Sequence, residues 1–195
     1  NAVATIDDVN YVDYEVTPGT YSVVESSIPD GWQQTGNDCD EIVIAAGATQ
    51  HCTITNTKLG SITIIKDARP NDEQDFSFGG TLGAFSLDDD DGLDGILSNS
   101  KEFSDILPGS YSFTETLPNS FWILDSITCV DADTEEAFAA QSITDGVSID
   151  LAAGRNIECT FVNLKASPTR TQGFWQTHTE FTSGIFSTHF AGGMV

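Results

Sequence analysis

Residues 108–115 read Pro108-Gly109-Ser110-Tyr111-Ser112-Phe113-Thr114-Glu115, and residues 18–25 read Pro18-Gly19-Thr20-Tyr21-Ser22-Val23-Val24-Glu25. In both stretches a Pro-Gly turn leads into residues that largely alternate between a hydroxyl side chain and an aromatic or β-branched one. That alternation is typical of a β-strand with one buried face. The two stretches therefore predict the same turn and strand at two places in one chain.

The match continues beyond these strands at fixed spacings. The matched pairs are Trp32 with Trp122 and Cys39 with Cys129 at an offset of 90 residues, and Cys52-Thr53-Ile54-Thr55-Asn56 with Cys159-Thr160-Phe161-Val162-Asn163 at an offset of 107 residues. The second copy thus holds 17 extra residues between its cysteines. Agreement at so many positions indicates an internal repeat.

The repeat divides the chain into three parts. We expect residues 1–58 to form one copy, residues 60–165 to form a second copy, and residues 166–195 to form an aromatic-rich docking tail or the start of a further domain. Short alternating strands separated by Gly-containing turns, without a convincing helical period, predict the all-β class. The predicted architecture is a pair of tandem immunoglobulin-like β-sandwiches.

The first copy is shorter than the second before its Pro-Gly turn, by about 30 residues, which is enough for its N-terminal strands. Two interpretations stay open. The missing strands lie upstream in a longer polypeptide, or the open sandwich accepts a strand from a neighbouring subunit. Repeated head to tail, such a contact would build a filament.

The charge of the chain bounds its partners. Its 30 acidic and 7 basic residues give a formal net charge of −23, which would repel nucleic acid and anionic lipid. No apolar run is long enough to predict membrane insertion of this segment. No signal peptide opens the sequence, so we expect a processed or truncated form of a secreted or cell-surface protein.

The four cysteines have wide spacings that do not resemble a zinc site. Matched positions in the two copies predict one disulfide in each, Cys39 with Cys52 and Cys129 with Cys159. Each would join neighbouring strands across the core of its copy and would stabilise the fold by about 2–4 kcal/mol. Disulfides place the protein in an oxidising, extracellular compartment.

Three polar residues occupy core-facing positions of the second copy. Lys66 shares a face with Ile62 and Ile64, and the same period-two argument places Glu115 and Asn163 inward on their strands. Burial lowers the pKa of a lysine and raises that of a glutamate. A neutral Lys66 amine could attack Asn163, with a protonated Glu115 polarising the amide, to form an internal Lys–Asn isopeptide bond. The competing interpretation is an ordinary ion pair at the edge.

The sequence resembles the collagen-adhesin B-type and pilin-backbone domains, which have a prealbumin-like sandwich. The residues that carry the resemblance are Ile64-Ile65-Lys66-Asp67, Leu107-Pro108-Gly109-Ser110-Tyr111, Phe113-Thr114-Glu115-Thr116-Leu117-Pro118 and Phe161-Val162-Asn163. The resemblance implies an isopeptide bond between Lys66 and Asn163 with Glu115 as its catalyst, and a role as a stalk, shaft or filament subunit. The first copy has Glu25 and Asn56 but no matching lysine.

The sequence evidence for a metal site is weaker than that for the disulfides. A dense acidic run could hold calcium, at Asp88, Asp89, Asp90, Asp91 and Asp94. It does not fit the EF-hand spacing, and a solvated acidic loop is the competing interpretation. No cofactor is required by any motif.

Three functions remain in competition. The first is a non-enzymatic extracellular structural protein, a stalk or filament subunit that associates with copies of itself or neighbouring surface subunits. The second is an adhesin or carbohydrate-binding module, with Trp32, Trp122 or Trp175 stacking on sugar. Core packing is the favoured interpretation for Trp32 and Trp122, because both recur at one repeat position. The third is an accessory domain of a hydrolase whose catalytic part lies elsewhere. No motif of a hydrolase, a P-loop or a zinc protease occurs.

Overall fold

The computed structural model describes residues 11–89 and 97–166. Every regular element in these ranges is a β-strand, which confirms the predicted all-β class. The strands are β1 (Gly19–Tyr21), β2 (Trp32–Asn37), β3 (Ile42–Ile44), β4 (Ile54–Lys58), β5 (Gly60–Arg69), β6 (Asp72–Gly80), β7 (Phe85–Asp89), β8 (Ser100–Ile106), β9 (Gly109–Thr116), β10 (Trp122–Asp131), β11 (Gln141–Ile143), β12 (Gly146–Leu151) and β13 (Asn156–Lys165). Within these ranges no helix is long and apolar enough to cross a membrane.

Strands β5 to β13 form two sheets that enclose one hydrophobic core. One sheet has the order β10-β13-β5-β8, and the other has the order β11-β12-β9-β6-β7. The first and last of these strands, β5 and β13, lie side by side and run parallel, with Phe161 opposite Lys66. The other pairings in both sheets are antiparallel.

The core follows from alternation along each strand. Along β5 the side chains of Ile62, Ile64, Lys66 and Ala68 are buried, and the residues between them are partly exposed. Aromatic rings from both sheets meet between them: Phe76 packs edge-on against Trp122, and Phe78 against Phe161, with ring centroids 5.1 and 5.2 Å apart. Burying each large apolar side chain stabilises the fold by about 1.5–3 kcal/mol.

Residues 11–58 form two separate two-stranded sheets, β1-β3 and β2-β4. Within this range Cys39 is the one fully buried residue. Trp32 is 42% exposed, whereas Trp122, its counterpart 90 residues later, is 2% exposed. This part of the chain therefore has strands without the core that the later part has.

The two parts nevertheless share local geometry. Tyr21 lies opposite Ile42 in the β1-β3 pair, as Tyr111 lies opposite Ile149 in the β9-β12 pair. The Tyr21 hydroxyl donates to a carbonyl oxygen four residues earlier at 2.7 Å, and the Tyr111 hydroxyl does the same at 2.7 Å. The same sequence pattern thus produces the same turn and register twice.

A bulge is also repeated. The β2-β4 register shifts between Gln34 and Gly36, and the β10-β13 register shifts between Leu124 and Ser126, 90 residues later in each case. A bulge reorients the side chains that follow it, so its position is a specific feature of a strand pair.

The joint between the two parts is a single residue, Leu59, between the end of β4 and the start of β5. The Leu59 amide donates to the Gly31 carbonyl at 2.8 Å, and the Gly154 amide donates to the Lys58 carbonyl at 3.2 Å. At Gly60 the backbone passes so close to the Arg155 carbonyl that a Cβ would lie 2.3 Å from its oxygen. The joint is thus hydrogen-bonded on both sides and requires a glycine.

Candidate functional site

Lys66 is placed in the core by the alternation of β5 and is 1% exposed. Its Nζ donates to the Asp67 and Phe161 carbonyl oxygens, each at 3.1 Å, and lies 4.3 Å from the centroid of the Phe76 ring. The side chain points into the core and does not reach solvent. The structure therefore does not support the interpretation in which Lys66 extends to an edge.

Glu115 reaches the same point from the opposite sheet. It is the last inward-facing residue of β9, after Tyr111 and Phe113, and it is buried. Its Oε1 lies 3.7 Å from Lys66 Nζ. Neither Glu115 oxygen has a hydrogen-bond partner among the residues described by the structure.

Asn163 completes the group from β13, the strand next to β5. It is fully buried, and it lies opposite Ala68, two positions beyond Lys66 on the same face. Its amide is near enough to Glu115 to act on the carboxyl electrostatically, but no hydrogen bond of normal geometry joins the two. An unpaired buried amide costs about 1–3 kcal/mol, so its presence here calls for an explanation.

Burial shifts both titrating groups toward their neutral forms. Desolvation raises the pKa of the Glu115 carboxyl, and the charge of Lys66 and the Asn163 amide oppose part of this rise. Desolvation likewise lowers the pKa of the Lys66 amine against the opposing charges of Glu115, Asp89 and Asp67. A neutral amine has the lone pair that a nucleophile needs, and a protonated carboxyl can act as a general acid.

A second carboxyl–amide pair is present in the first part of the chain. The Asn56 Nδ2 donates to both oxygens of Glu25, at 2.9 Å to Oε1 and 2.8 Å to Oε2. The pair joins β4 to the segment after β1, as Asn163 and Glu115 face each other from β13 and β9. Asn56 Oδ1 is buried without a hydrogen-bond partner among the residues described.

Both expected disulfides are present, Cys39–Cys52 and Cys129–Cys159. Cys129 and Cys159 lie directly opposite each other on β10 and β13, with Cα atoms 4.1 Å apart. The bond therefore joins neighbours within one sheet and does not span the core between the sheets. Cys39 and Cys52 lie near Asp38 in an arrangement that could suggest a metal site, but their sulfurs are consumed by the disulfide.

The acidic run is described only in part. Asp88 and Asp89 end β7, and Asp89 Oδ2 accepts a hydrogen bond from the Ala68 amide at 2.8 Å, a structural role beside the Lys66 site. Asp90, Asp91 and Asp94 lie outside the described residues, as do Trp175 and the rest of the tail from residue 167. Calcium binding stays a prediction.

Sequence reasoning missed two contributors to the structure. Phe76 covers Lys66, and its only sequence signal is the Phe76–Phe78 alternation of β6. The buried Asp131 accepts from the Asp133 and Thr134 amides and pairs with Arg155 at 2.6 Å. These contacts hold the turn that follows β10. In a sequence with 30 acidic residues, nothing distinguishes Asp131 from the exposed ones.

The model of the Prealbumin-like fold domain family matches residues 62–165, more than half of the chain. The chain belongs to this family. The match begins within β5 and ends at the last residue of β13, so it covers both strands that carry Lys66 and Asn163. The prealbumin-like architecture expected from the sequence is thereby confirmed for these residues.

Among solved structures, this prealbumin-like chain is similar at low identity to a bacterial adhesin and to major pilins. An adhesin from Mobiluncus mulieris, described as containing intramolecular disulfide, isopeptide and ester bond cross-links, has 13% identity and a TM-score of 0.43 over 63% of this chain and 47% of the adhesin. A major pilin from Streptococcus pyogenes has 13% identity and a TM-score of 0.36 over 78% of this chain and 69% of the pilin. The major pilin BcpA of Bacillus cereus has 15% identity and a TM-score of 0.33 over 60% of this chain and 33% of BcpA.

The chain thus spans about half the length of the adhesin that it matches. No curated protein sequence is significantly similar to it.

Proposed function

We propose that this chain is a non-enzymatic structural subunit of an extracellular stalk or filament, and that its second sandwich is closed by an isopeptide bond between Lys66 and Asn163. The observation that supports this is the buried group itself. A lysine and a glutamate lie 3.7 Å apart in the core, beside a buried asparagine amide that has no hydrogen-bond partner among the residues described.

The reaction needs only these three side chains. The lone pair of the neutral Lys66 Nζ attacks Asn163 Cγ, and a new C–N bond forms. Protonated Glu115 donates its proton to the Asn163 oxygen and then carries a proton from the attacking nitrogen to the departing one, and the proton on the oxygen returns to Glu115 as the C=O bond re-forms. The original C–N bond of the amide breaks, and one ammonia leaves. The product is a secondary amide, and Glu115 ends as it began.

The cross-link joins the two strands through which tension would pass. β5 opens the second sandwich and β13 closes it, and the two run parallel as neighbours. Pulling the sandwich by its ends shears this pair, so the hydrogen bonds between the two strands carry the load together. A covalent bond between Lys66 and Asn163 would carry the tension directly, so that the residues between them would not be stretched. This is the property that a stalk or filament subunit requires.

Other features are consistent with an extracellular structural role. Two disulfides fit an oxidising compartment, and a net charge of −23 favours solubility. We interpret residues 1–58 and 60–165 as two copies of one module because their strand registers, bulges and tyrosine hydrogen bonds correspond.

Adhesion is the second candidate, and one observation favours it. The exposed indole of Trp32 offers a face on which a sugar ring could stack. Trp122 cannot serve in this way, because it is buried against Phe76. Loss of glycan binding in Trp32→Ala, with no loss in Phe121→Ala, would favour this second function.

The cross-link is tested by the intact mass of the reduced chain. We expect a mass below that of the sequence by about 17 Da, one ammonia, and the full sequence mass in Asn163→Ala and Lys66→Ala. A wild-type chain with the full mass would remove the cross-link. The filament role is tested separately by immunoelectron microscopy of the producing cells, where labelling confined to the cell interior would exclude it.

A further inference from the structure

The outer face of the sheet β10-β13-β5-β8 carries apolar side chains that take no part in the core. Along β13 the core-facing residues are Phe161 and Asn163, so the residues that alternate with them point to the outer face. The same alternation turns one isoleucine of β5 and one of β10 outward. The outward apolar residues of these three strands are Ile65, Ile123, Val162 and Leu164, and none of them belongs to the core cluster.

These four residues and Phe121, just before β10, form one surface, which we call the outer apolar patch. Leu164 lies directly opposite Ile123, and Val162 is two positions earlier on the same face of β13. Ile65 lies on the neighbouring strand, one outward position before Val162. Phe121 is 56% exposed and Ile123 is 50% exposed. Large apolar side chains that are both grouped and exposed mark a surface that another segment covers.

The charges beside the patch compensate each other. Arg69 lies opposite Leu164 and Asp67 lies opposite Val162, and the two form an ion pair at 2.6 Å. The patch is therefore apolar with a neutral rim along β5, in a chain whose net charge is −23. A second copy of this acidic chain would approach the patch against mutual repulsion, whereas a neutral segment would not.

The chain leaves the sandwich at the edge of this patch. β13 ends at Lys165, and the Ala166 amide donates to the Phe121 carbonyl oxygen at 2.6 Å. Residues 167–195, which lie outside the described part of the chain, follow directly. With histidine neutral, Arg170 and Glu180 give them a formal charge of zero. Their large aromatic residues are Phe174, Trp175, Phe181, Phe186 and Phe190.

The connection is long enough for these aromatic residues to return to the patch. Residues 167–173 separate Ala166 from Phe174, and seven extended residues span at most about 25 Å. Along β13 the patch extends over four residues, or roughly 13 Å. Pro168 and Gly173 are residue types that favour turns, which a chain that reverses its direction requires. Phe174 and the residue after it can therefore reach every part of the patch.

We propose that residues 171–190 fold back over the outer apolar patch of their own chain, with Phe174 and Trp175 packed on Ile123 and Leu164. The contact removes apolar surface of both partners from water, and aromatic rings bury the largest area for each ordered side chain. β13 is then covered on both faces, by the core on one and by this segment on the other. The proposal goes beyond the isopeptide bond and does not depend on it, because the patch lies on the face opposite the inward-facing Asn163.

A photoreactive amino acid, p-benzoylphenylalanine, in place of Trp175 tests the contact in the full chain. Irradiation should produce cross-links within single chains, and mass spectrometry should map them to residues 121–126 or 162–166. Ile123→Asp places a charge in the patch and should lower the yield of these cross-links at least about 10-fold. Ile143→Asp is the matched control, because it makes the same change at an isoleucine that is 40% exposed on the other sheet. Its yield should equal that of the parent chain.

Phe121→Ser is a second variant that removes an apolar side chain from the patch without adding a charge. It should also lower the yield, so the test does not depend on how Ile123→Asp affects folding. Cross-links that join two chains, with a yield that rises with protein concentration, would assign the patch to a second copy and overturn the proposal. Cross-links confined to residues outside the patch, or a yield that both patch variants leave unchanged, would also overturn it.

Discussion

Lys66 Nζ lies 3.7 Å from Glu115 Oε1, and neither side chain is exposed to solvent. Removing two charges from water costs on the order of several kcal/mol per ion, which attraction recovers only when further hydrogen bonds complete the pair. Both carboxylate oxygens lack such bonds among the residues described. As an ion pair this arrangement would stabilise the fold poorly, and chemistry between its members is the better account of its burial.

Glu115→Gln should slow the cross-link while preserving the shape of the core. Glutamine has the volume of glutamate but cannot pass a proton, so we expect the loss of ammonia to slow by about 100- to 10,000-fold. The measurement is intact mass against time after refolding of the reduced chain.

Glu25→Gln is the matched control, because it makes the same change at the counterpart position. It should leave the ammonia loss at wild-type rate. Equal rates in Glu115→Gln and wild type would mean that Glu115 is not the catalyst.

The pH dependence of stability reports on Glu115 when the cross-link is blocked. In Asn163→Ala the folded-state pKa of Glu115 is raised above its ordinary 4.5 by burial, so the folded state binds a proton that the unfolded state has released. This stability is fully present below pH 4.5 and is lost as the pH rises through the folded-state pKa.

The comparison is Asn163→Ala against Asn163→Ala with Glu115→Gln, by urea denaturation at a series of pH values. The free energy of unfolding of Asn163→Ala, relative to that of the double variant, should fall as the pH rises above 4.5. Lys66 acts in the opposite sense, because its lowered pKa adds stability that is lost as the pH falls from 10.5 through the folded value. A difference that does not vary with pH would mean that Glu115 titrates normally.

The sequence is sufficient to predict which side chains of β5, β9 and β13 face the core. Period-two alternation places Lys66, Glu115 and Asn163 inward, and the structure has them buried. It cannot predict which strands are neighbours, because strand order depends on connections that cross between sheets. The Cys129–Cys159 bond shows the difference. The repeat predicts which cysteines pair, but only the strand order, with β13 between β10 and β5, shows that the bond lies within one sheet.

The packing of Phe76 over Lys66 could not be predicted from the sequence, for a similar reason. Phe76 reaches Lys66 from β6, and nothing in the local pattern of β6 specifies that contact. The exposure of Trp32 was equally hidden, since Trp32 and Trp122 occupy matching sequence positions and differ only in what packs on them.

Removing the Cys129–Cys159 disulfide should destabilise the sandwich formed by β5 to β13. The double variant Cys129→Ala with Cys159→Ala frees a loop of 30 residues and should lower the free energy of unfolding by about 2–5 kcal/mol, measured by urea denaturation. Cys39→Ala with Cys52→Ala is the control, because it lies outside that core. An equal loss of stability of the β5–β13 core in both variants would mean that the two parts unfold as one unit.

Gly60→Ala should destabilise the joint between β4 and β5. The added Cβ would lie 2.3 Å from the Arg155 carbonyl oxygen, so the backbone must shift at a cost of about 1–3 kcal/mol. Gly79→Ala in β6 is the control, since its Cβ would have Thr114 Oγ1 at 3.9 Å as its nearest neighbour. Thermal unfolding should separate the two variants, and equal midpoints would contradict the close approach at Gly60.

Mechanical extension is the most direct test of a role in resisting tension. When the reduced chain is stretched by its two ends, the proposed bond keeps residues 67–162 out of the path of the force. Asn163→Ala releases this segment, and at about 3.4 Å per residue the β5–β13 sandwich should lengthen by an additional 330 Å, roughly, when it unfolds. Single-molecule force spectroscopy measures this difference.

Reducing conditions are needed because the Cys129–Cys159 bond would otherwise withhold 30 residues from extension. Lys66→Ala should behave like Asn163→Ala, because either change removes one end of the bond. Asn56→Ala should behave like wild type, since Asn56 lies outside the strands that bear this load. If wild type and Asn163→Ala lengthen equally, β5 and β13 are held together by hydrogen bonds alone, and the sandwich resists tension only through the hydrogen bonds of that parallel pair.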